Sequence, residues 1–239
     1  MGEETVWYTE ANGERTSAAA PGRILLFGGT FDPPHVGHLT MAQIAYEQVS
    51  ADEVWWMPAA KPPHKAEIDV DTFAWRFRMV EALIGARRHM RVTDVENRLP
   101  KPSYTVDTLG ALISWYPEVE FLFLLGADSL QHLPEWHGAE ELCEMVRFVV
   151  ARRPGYDFDT AAASARARLP HIRMDVIDMP MLDVSSTWVR DRLDRRLDVC
   201  GLVPDPVLEI WRQGPEGGMG SGWSGGTSSI IFGSASPSR

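Results

Sequence analysis

The sequence predicts an α/β fold, a doubly wound, Rossmann-like parallel sheet making a single domain with a flexible tail at each end. Three observations predict it. Six short apolar runs alternate with segments whose apolar residues recur at three- and four-residue intervals. Glycine and hydroxyl-rich stretches follow those runs, where open sheets of this kind bind ligands. A chain of 239 residues with 44% hydrophobic composition supplies one core of ordinary size.

Residues 1–22 are polar, alanine-rich and aperiodic, which predicts a loose extension. The domain is expected over residues 23–213. Its strands are Ile24 to Phe27, Val54 to Met57, Val92 to Val95, Phe121 to Leu125, Phe148 to Val150 and Ile172 to Ile177. Helical patterns cover His38 to Val49, Phe73 to Ala86, Val106 to Trp115, Ala139 to Met145, Ala161 to Leu169 and Thr187 to Leu193. Residues 214–239, rich in Gly and Ser, cannot bury enough apolar area to order themselves, Ile230-Ile231-Phe232 being a short sticky exception.

The formal charge of −10 and pI of about 5.2 disfavour a sequence-independent grip on nucleic acid, which needs a basic face. Cys143 and Cys200 stand far apart, suggesting two reduced thiols rather than a disulfide framework or zinc site. No apolar run approaches the roughly 20 residues that span a bilayer. The acidic N-terminus lacks signal-peptide order, so a cytoplasmic protein is expected, with no membrane partner.

The most informative stretch is Gly28-Gly29-Thr30-Phe31-Asp32-Pro33-Pro34-His35-Val36-Gly37-His38, directly behind the first strand. Strand-end glycines expose backbone N–H groups and the following helix adds the positive end of its dipole, a combination that favours a phosphate. His35 and His38, at i and i+3, face one side and bracket an anion. Gly37 is expected to let the backbone approach a ligand. Helix capping alone, or zinc with Asp32 as a third ligand, would use the same histidines, but the glycines suit a phosphate better than a metal cage.

Ser185-Ser186-Thr187-Trp188-Val189-Arg190 places hydroxyls at a helix start and a guanidinium one turn later, reading either as N-capping or as a second phosphate grip. Lys65, in the proline-stiffened Lys61-Pro-Pro-His-Lys65, could bring a point charge to a polyphosphate. Gly126-Ala127-Asp128 suits a carboxylate that accepts from ribose hydroxyls, or a plain helix cap. Ser103-Tyr104-Thr105 begins a helix that could receive a carboxylate, and Trp136, one of nine tryptophans, either stacks on a ligand ring or packs in the core.

In this order the motifs resemble the nucleotidyltransferases whose first motif is a histidine pair, and within them the bacterial nicotinate-nucleotide adenylyltransferases. The resemblance covers about residues 23 to 213 and adds Pro62-Pro-His-Lys65, Pro102-Ser-Tyr-Thr105, Gly126-Ala-Asp-Ser-Leu130 and Arg153-Pro154. It implies adenylyl transfer from ATP, carrying Mg²⁺, to nicotinate mononucleotide, with no covalent enzyme intermediate and no metal site on the protein. His35, His38, Lys65 and Arg190 are then the catalytic set. Gly28, Gly29, Thr30, Phe31, Gly126, Asp128, Ser186 and Thr187 hold ATP, and Tyr104, Thr105 and Trp136 form the pyridine pocket. Adenylyl transfer to nicotinamide mononucleotide or phosphopantetheine, and a non-catalytic nucleotide sensor, are the competing readings. The motifs leave oligomeric state open.

Because the last segment carries no buried pattern, deleting residues 214–239 is expected to leave the melting temperature nearly unchanged. A large drop in thermal denaturation would show that the tail docks.

Overall fold

The computed structural model describes residues 8–9, 21–60, 72–152, 157–180 and 182–215. Its strands are β1 (Tyr8–Thr9), β2 (Arg23–Gly29), β3 (Glu53–Pro58), β4 (Met90–Thr93), β5 (Glu120–Gly126), β6 (Arg147–Arg152) and β7 (Met174–Asp178). The helices are α1 (Val36–Gln48), α2 (Thr72–Ile84), α3 (Val95–Arg98), α4 (Thr105–Trp115), α5 (Ala127–His132), α6 (Ala139–Met145), α7 (Phe158–Arg168), α8 (Ser186–Asp194) and α9 (Asp205–Gln213), with a 3₁₀ turn at Leu133–Glu135.

The strands form one sheet in the order β1-β4-β3-β2-β5-β6-β7. Strands β2 to β7 are mutually parallel, as the alternating pattern predicts, while β1 pairs antiparallel with β4 at the edge, a strand the sequence reading did not anticipate. From β2 the sheet grows through β3 and β4 on one side and through β5 and β6 on the other. The order therefore reverses between β2 and β5, which opens a crevice beyond their carboxyl ends.

Side-chain alternation along the strands builds two cores. On β2, Leu25 and Phe27 join one cluster and Ile24 and Leu26 the other. The first cluster packs under α1, α2, α8 and α9, through residues such as Ala42, Met79, Val189 and Val207. The second packs under α3 to α7, through Val95, Leu109, Leu130, Leu142 and Ala165. Helices thus cover both faces, which is why the strands read as continuous apolar runs.

Three of the boundaries that differ from expectation have a visible local cause. The strand expected over Val92 to Val95 ends at Thr93, because Thr93 Oγ1 accepts from the Val95 N–H (3.3 Å) and turns the chain into α3. The strand expected from Ile172 starts at Met174, since the Ile172 N–H is held in a turn by the Leu169 carbonyl (3.1 Å). Helix α7 begins at Phe158, before Ala161, because Asp157 caps it by accepting from the Thr160 N–H (3.1 Å).

Three helices were unforeseen, the short α3, α5 and α9. Helix α5 follows β5 directly, with the last strand residue, Gly126, as its N-cap, and α9 starts behind Pro204 with Pro206 in its first turn. Helix α9 packs on α2 through the Trp75–Trp211 ring pair (4.7 Å), and the Trp75 indole N–H donates to the Ile210 carbonyl (2.8 Å). The segment before α9 also reaches the crevice, where the Leu202 carbonyl accepts from the Val36 N–H (2.9 Å) at the start of α1.

Candidate active site

Strand β2 delivers Gly28 and Gly29 to the crevice, and the chain then turns sharply. Phe31 sits at φ 53, a left-handed conformation that costs a non-glycine residue roughly 1–2 kcal/mol. Its ring folds back over Gly29, where a Cβ would lie 2.9 Å from the ring, and packs against Phe27, Trp56 and His38. Burial of that ring, worth about 1.5–3 kcal/mol, outweighs the backbone cost. Gly28 is needed for a similar reason, since a Cβ there would press on Phe123 at 3.2 Å.

The turn places His35 as N-cap of α1 and His38 at the third helical position. Their rings face each other with centroids 3.8 Å apart, as the i, i+3 spacing predicts. His35 is buried and His38 partly exposed. The His35 backbone N–H donates to His38 Nδ1 (3.2 Å). A nitrogen that accepts is unprotonated, so the neutral His38 ring carries its proton on Nε2 and presents that N–H as a donor.

Helix α8 enters from the other half of the chain. Ser185 caps it, accepting from the Trp188 N–H (3.2 Å). Ser186 Oγ donates to the Pro33 carbonyl (2.9 Å). Arg190 donates to the Asp32 carbonyl, lies 3.4 Å from Asp32 Oδ2, and its other amino nitrogen donates to Thr187 Oγ1 (3.3 Å). The structure therefore brings the hydroxyl-and-guanidinium cluster onto the loop that carries the histidine pair. Thr30, three residues after Phe27, lies in the same loop.

Gly37 also has a packing role. A Cβ there would meet Val184 Cγ1 at 2.7 Å and the His35 ring at 3.1 Å, so the missing side chain lets α1 pack against the approach to α8. At Gly126 a Cβ would collide with Asp128 Oδ1. That glycine allows the exposed Asp128 carboxylate to fold back at the end of β5, beside the crevice.

Tyr104, Thr105 and Trp136 gather on the α4 side. Tyr104 is the N-cap of α4 and Thr105 its first residue. The Tyr104 ring stacks on His137 (4.1 Å), and the partly buried Trp136 meets Phe123 edge-on at 6.1 Å. His137 was visible in Pro-Glu-Trp-His but gave no spacing signal of its own. Lys65, with Pro62-Pro-His-Lys65 and Arg153-Pro154, lies outside the described residues.

Sequence reasoning missed two buried ionisable side chains, Arg76 and Glu96, beneath the loops. Arg76 of α2, 1% exposed, donates from Nη1 to the Thr30 carbonyl (2.8 Å) and from Nη2 to the Ala59 carbonyl (2.6 Å). Burial lowers its pKa, opposed by the charges of Asp32 and Glu96. Glu96, 8% exposed, accepts from the Ala60 N–H (3.0 Å), and burial raises its pKa to about 7 against the lowering effects of that bond and of Arg76. A signal existed, because Arg76 lies on the buried stripe of α2 with Met79, Val80 and Leu83. Among the described residues, no group of three or more His, Cys, Asp or Glu is arranged to hold a metal, and no helix is long and apolar enough to cross a membrane.

Comparison with known proteins agrees with this geometry. A family model described as cytidylyltransferase-like matches residues 26–192. A relative from Bacillus pumilus named "probable nicotinate-nucleotide adenylyltransferase" is 42% identical over 185 residues, covering 77% of this chain and 93% of its own. One from Shouchella clausii with the same name is 43% identical over 190 residues, covering 79% and 93%. Among solved structures, the Plasmodium falciparum nicotinic acid mononucleotide adenylyltransferase complexed with NaAD shares the fold at a TM-score of 0.66 and 19% identity, over 81% of this chain and 97% of its own.

The buried carboxyl makes stability pH-dependent. Folded Glu96 keeps its proton up to about pH 7, whereas its ordinary pKa is 4.5. Between those values the native state binds more protons than the unfolded one, so this group's contribution to stability falls as pH rises. Glu96→Gln is therefore expected to gain melting temperature relative to the wild type as pH rises from about 5 to about 8. A difference that stays constant across that range contradicts the assignment.

Proposed function

The chain belongs to the cytidylyltransferase-like family and, within it, to the nicotinate-nucleotide adenylyltransferases, and from that premise we propose how its residues join ATP to nicotinate mononucleotide. The products are nicotinate adenine dinucleotide, on the route to NAD, and pyrophosphate. The single observation that carries the residue assignment is the junction of two distant segments, Ser186 and Arg190 of α8 against Pro33 and Asp32.

A phosphate oxygen of nicotinate mononucleotide attacks the α-phosphorus of ATP. The new P–O bond forms as the bond from the α-phosphorus to the bridging oxygen breaks, and pyrophosphate leaves with that electron pair. The nucleophile is already an anion, so the protein needs no general base. Its work is to align the two phosphates and to stabilise charge that builds on the α-phosphoryl oxygens and the leaving group.

His38 supplies its Nε2–H to the α-phosphate, a donor whose tautomer is set by the His35 main chain. His35 backs it from the adjoining ring position. Gly28, Gly29, Thr30 and Phe31 shape the floor under the nucleotide, and Gly126 with Asp128 faces its ribose. Thr187 and Arg190 take the β- and γ-phosphates. Ser186 joins them only by exchanging its present bond, since its one hydroxyl proton goes to the Pro33 carbonyl. Lys65, which follows β3 in the sequence, is assigned to add charge. Mg²⁺ enters as part of the ATP substrate.

The pyridine pocket is assigned to Tyr104, Thr105 and Trp136. The start of α4 favours a carboxylate through its dipole, and Trp136 offers a ring face to the pyridine. We place the enzyme in the cytoplasm, acting on small molecules and without nucleic-acid or membrane partners.

Pyrophosphate release from ATP with nicotinate mononucleotide, nicotinamide mononucleotide and phosphopantetheine tests this reading. The nicotinate substrate is expected to react fastest; faster reaction with either other acceptor, or none at all, overturns it. His38→Ala is expected to lower kcat at least ~10²-fold while the protein stays folded, because it removes a donor aimed at developing charge. Near-normal turnover would remove His38 from the mechanism.

A further inference from the structure

We infer that Arg76 is a positioning residue for adenylyl transfer, clamping the exit loops of β2 and β3 so that the histidine pair and α8 meet at one fixed place. This rests on the reading of the site given above. Arg76 is buried, and among the described residues its hydrogen bonds go to main-chain oxygens, with the Asp32 and Glu96 carboxyls acting on it by charge.

Its planar fork joins the Thr30 carbonyl (2.8 Å) to the Ala59 carbonyl (2.6 Å), and the Ala59 N–H donates to the Gly29 carbonyl (2.9 Å). Glu96 ties the next residue, accepting from the Ala60 N–H (3.0 Å). Five main-chain groups at the ends of β2 and β3, the Gly29, Thr30 and Ala59 carbonyls and the Ala59 and Ala60 N–H groups, are thus held by one another or by these two buried side chains. A guanidinium in the core carries a desolvation penalty, and packing alone would be met at lower cost by an apolar side chain such as methionine. A guanidinium differs from an apolar group in fixing two carbonyls at once.

The consequence lies downstream of Thr30. Phe31 adopts its left-handed backbone at the next position, Asp32 and Pro33 offer the carbonyls that Arg190 and Ser186 bind, and His35 follows two residues later. Releasing the Thr30 carbonyl frees the start of that loop. Both halves of the phosphate grip then lose their common reference, although no phosphate-contacting group has been removed.

The test uses the full chain with Arg76→Met, Arg76→Lys and Glu96→Gln. Each is compared with the wild type in kcat, in KM for ATP and the pyridine nucleotide, and in the ¹⁵N shifts of the His38 ring. Arg76→Met is expected to lower kcat at least ~10-fold, with KM for the pyridine nucleotide within about twofold, since misplacement of a reacting group acts on the transition state more than on remote binding. Arg76→Lys, which can hold only one carbonyl, is expected to fall between the two. The His38 signals are expected to move away from the single Nε2–H tautomer.

If Arg76→Met lowers thermal stability but leaves kcat per folded molecule and the His38 signals unchanged, the role is structural and the inference is overturned. Should that variant fail to fold, Arg76→Lys and Glu96→Gln decide by the same readouts, with unchanged kcat and unchanged His38 signals again overturning it. A wild type that releases no pyrophosphate with any acceptor sinks the adenylyl-transfer reading alone. The His38 spectrum of the variants then decides the clamp, sustained by a shift and overturned by none.

Discussion

The turn out of β2 is the constraint on which the rest of the site depends. Within five residues the chain leaves a parallel strand, passes through a left-handed Phe31 and offers two carbonyls to another helix before His35 opens α1. Packing holds it there. The Phe31 ring is 2% exposed and touches Phe27, Trp56 and His38, so relaxing the backbone would expose a large apolar surface. Strain at the crevice is thus offset by burial just beneath it.

From this turn, segments remote in sequence are assembled by short polar contacts and close packing. Helix α8 is joined to the loop by hydrogen bonds from Ser186 and Arg190, and Gly37 lets Val184 approach closely. The Leu202 carbonyl holds the first N–H of α1, so the chain before α9 also fixes the histidine helix. Helix α2, itself covered by α9, reaches the same loop from below through Arg76. The crevice is therefore built by residues spread from Gly28 to Leu202.

Much of this was legible in the sequence because it follows from periodicity and motif spacing. The strands over Ile24 to Phe27 and Phe121 to Leu125 stood out as apolar runs since both of their faces are buried. The facing of His35 and His38 followed from helical geometry. What was not legible depends on long-range partners. Thr93 ends its strand through a side-chain oxygen, and the purpose of Gly37 is visible only once Val184 is beside it. Arg76 was not singled out although it is a charge in an apolar stripe, because its carbonyl partners and Glu96 come from three other segments.

The central claim is that the histidine pair and the α8 cluster act on one polyphosphate. A crystal structure of the full chain with a non-hydrolysable ATP analogue tests it most directly. The account predicts His38 Nε2 and the Arg190 guanidinium within about 2.7–3.2 Å of phosphate oxygens of the same nucleotide. A nucleotide bound through one cluster, with the other still engaged only with protein, would contradict it.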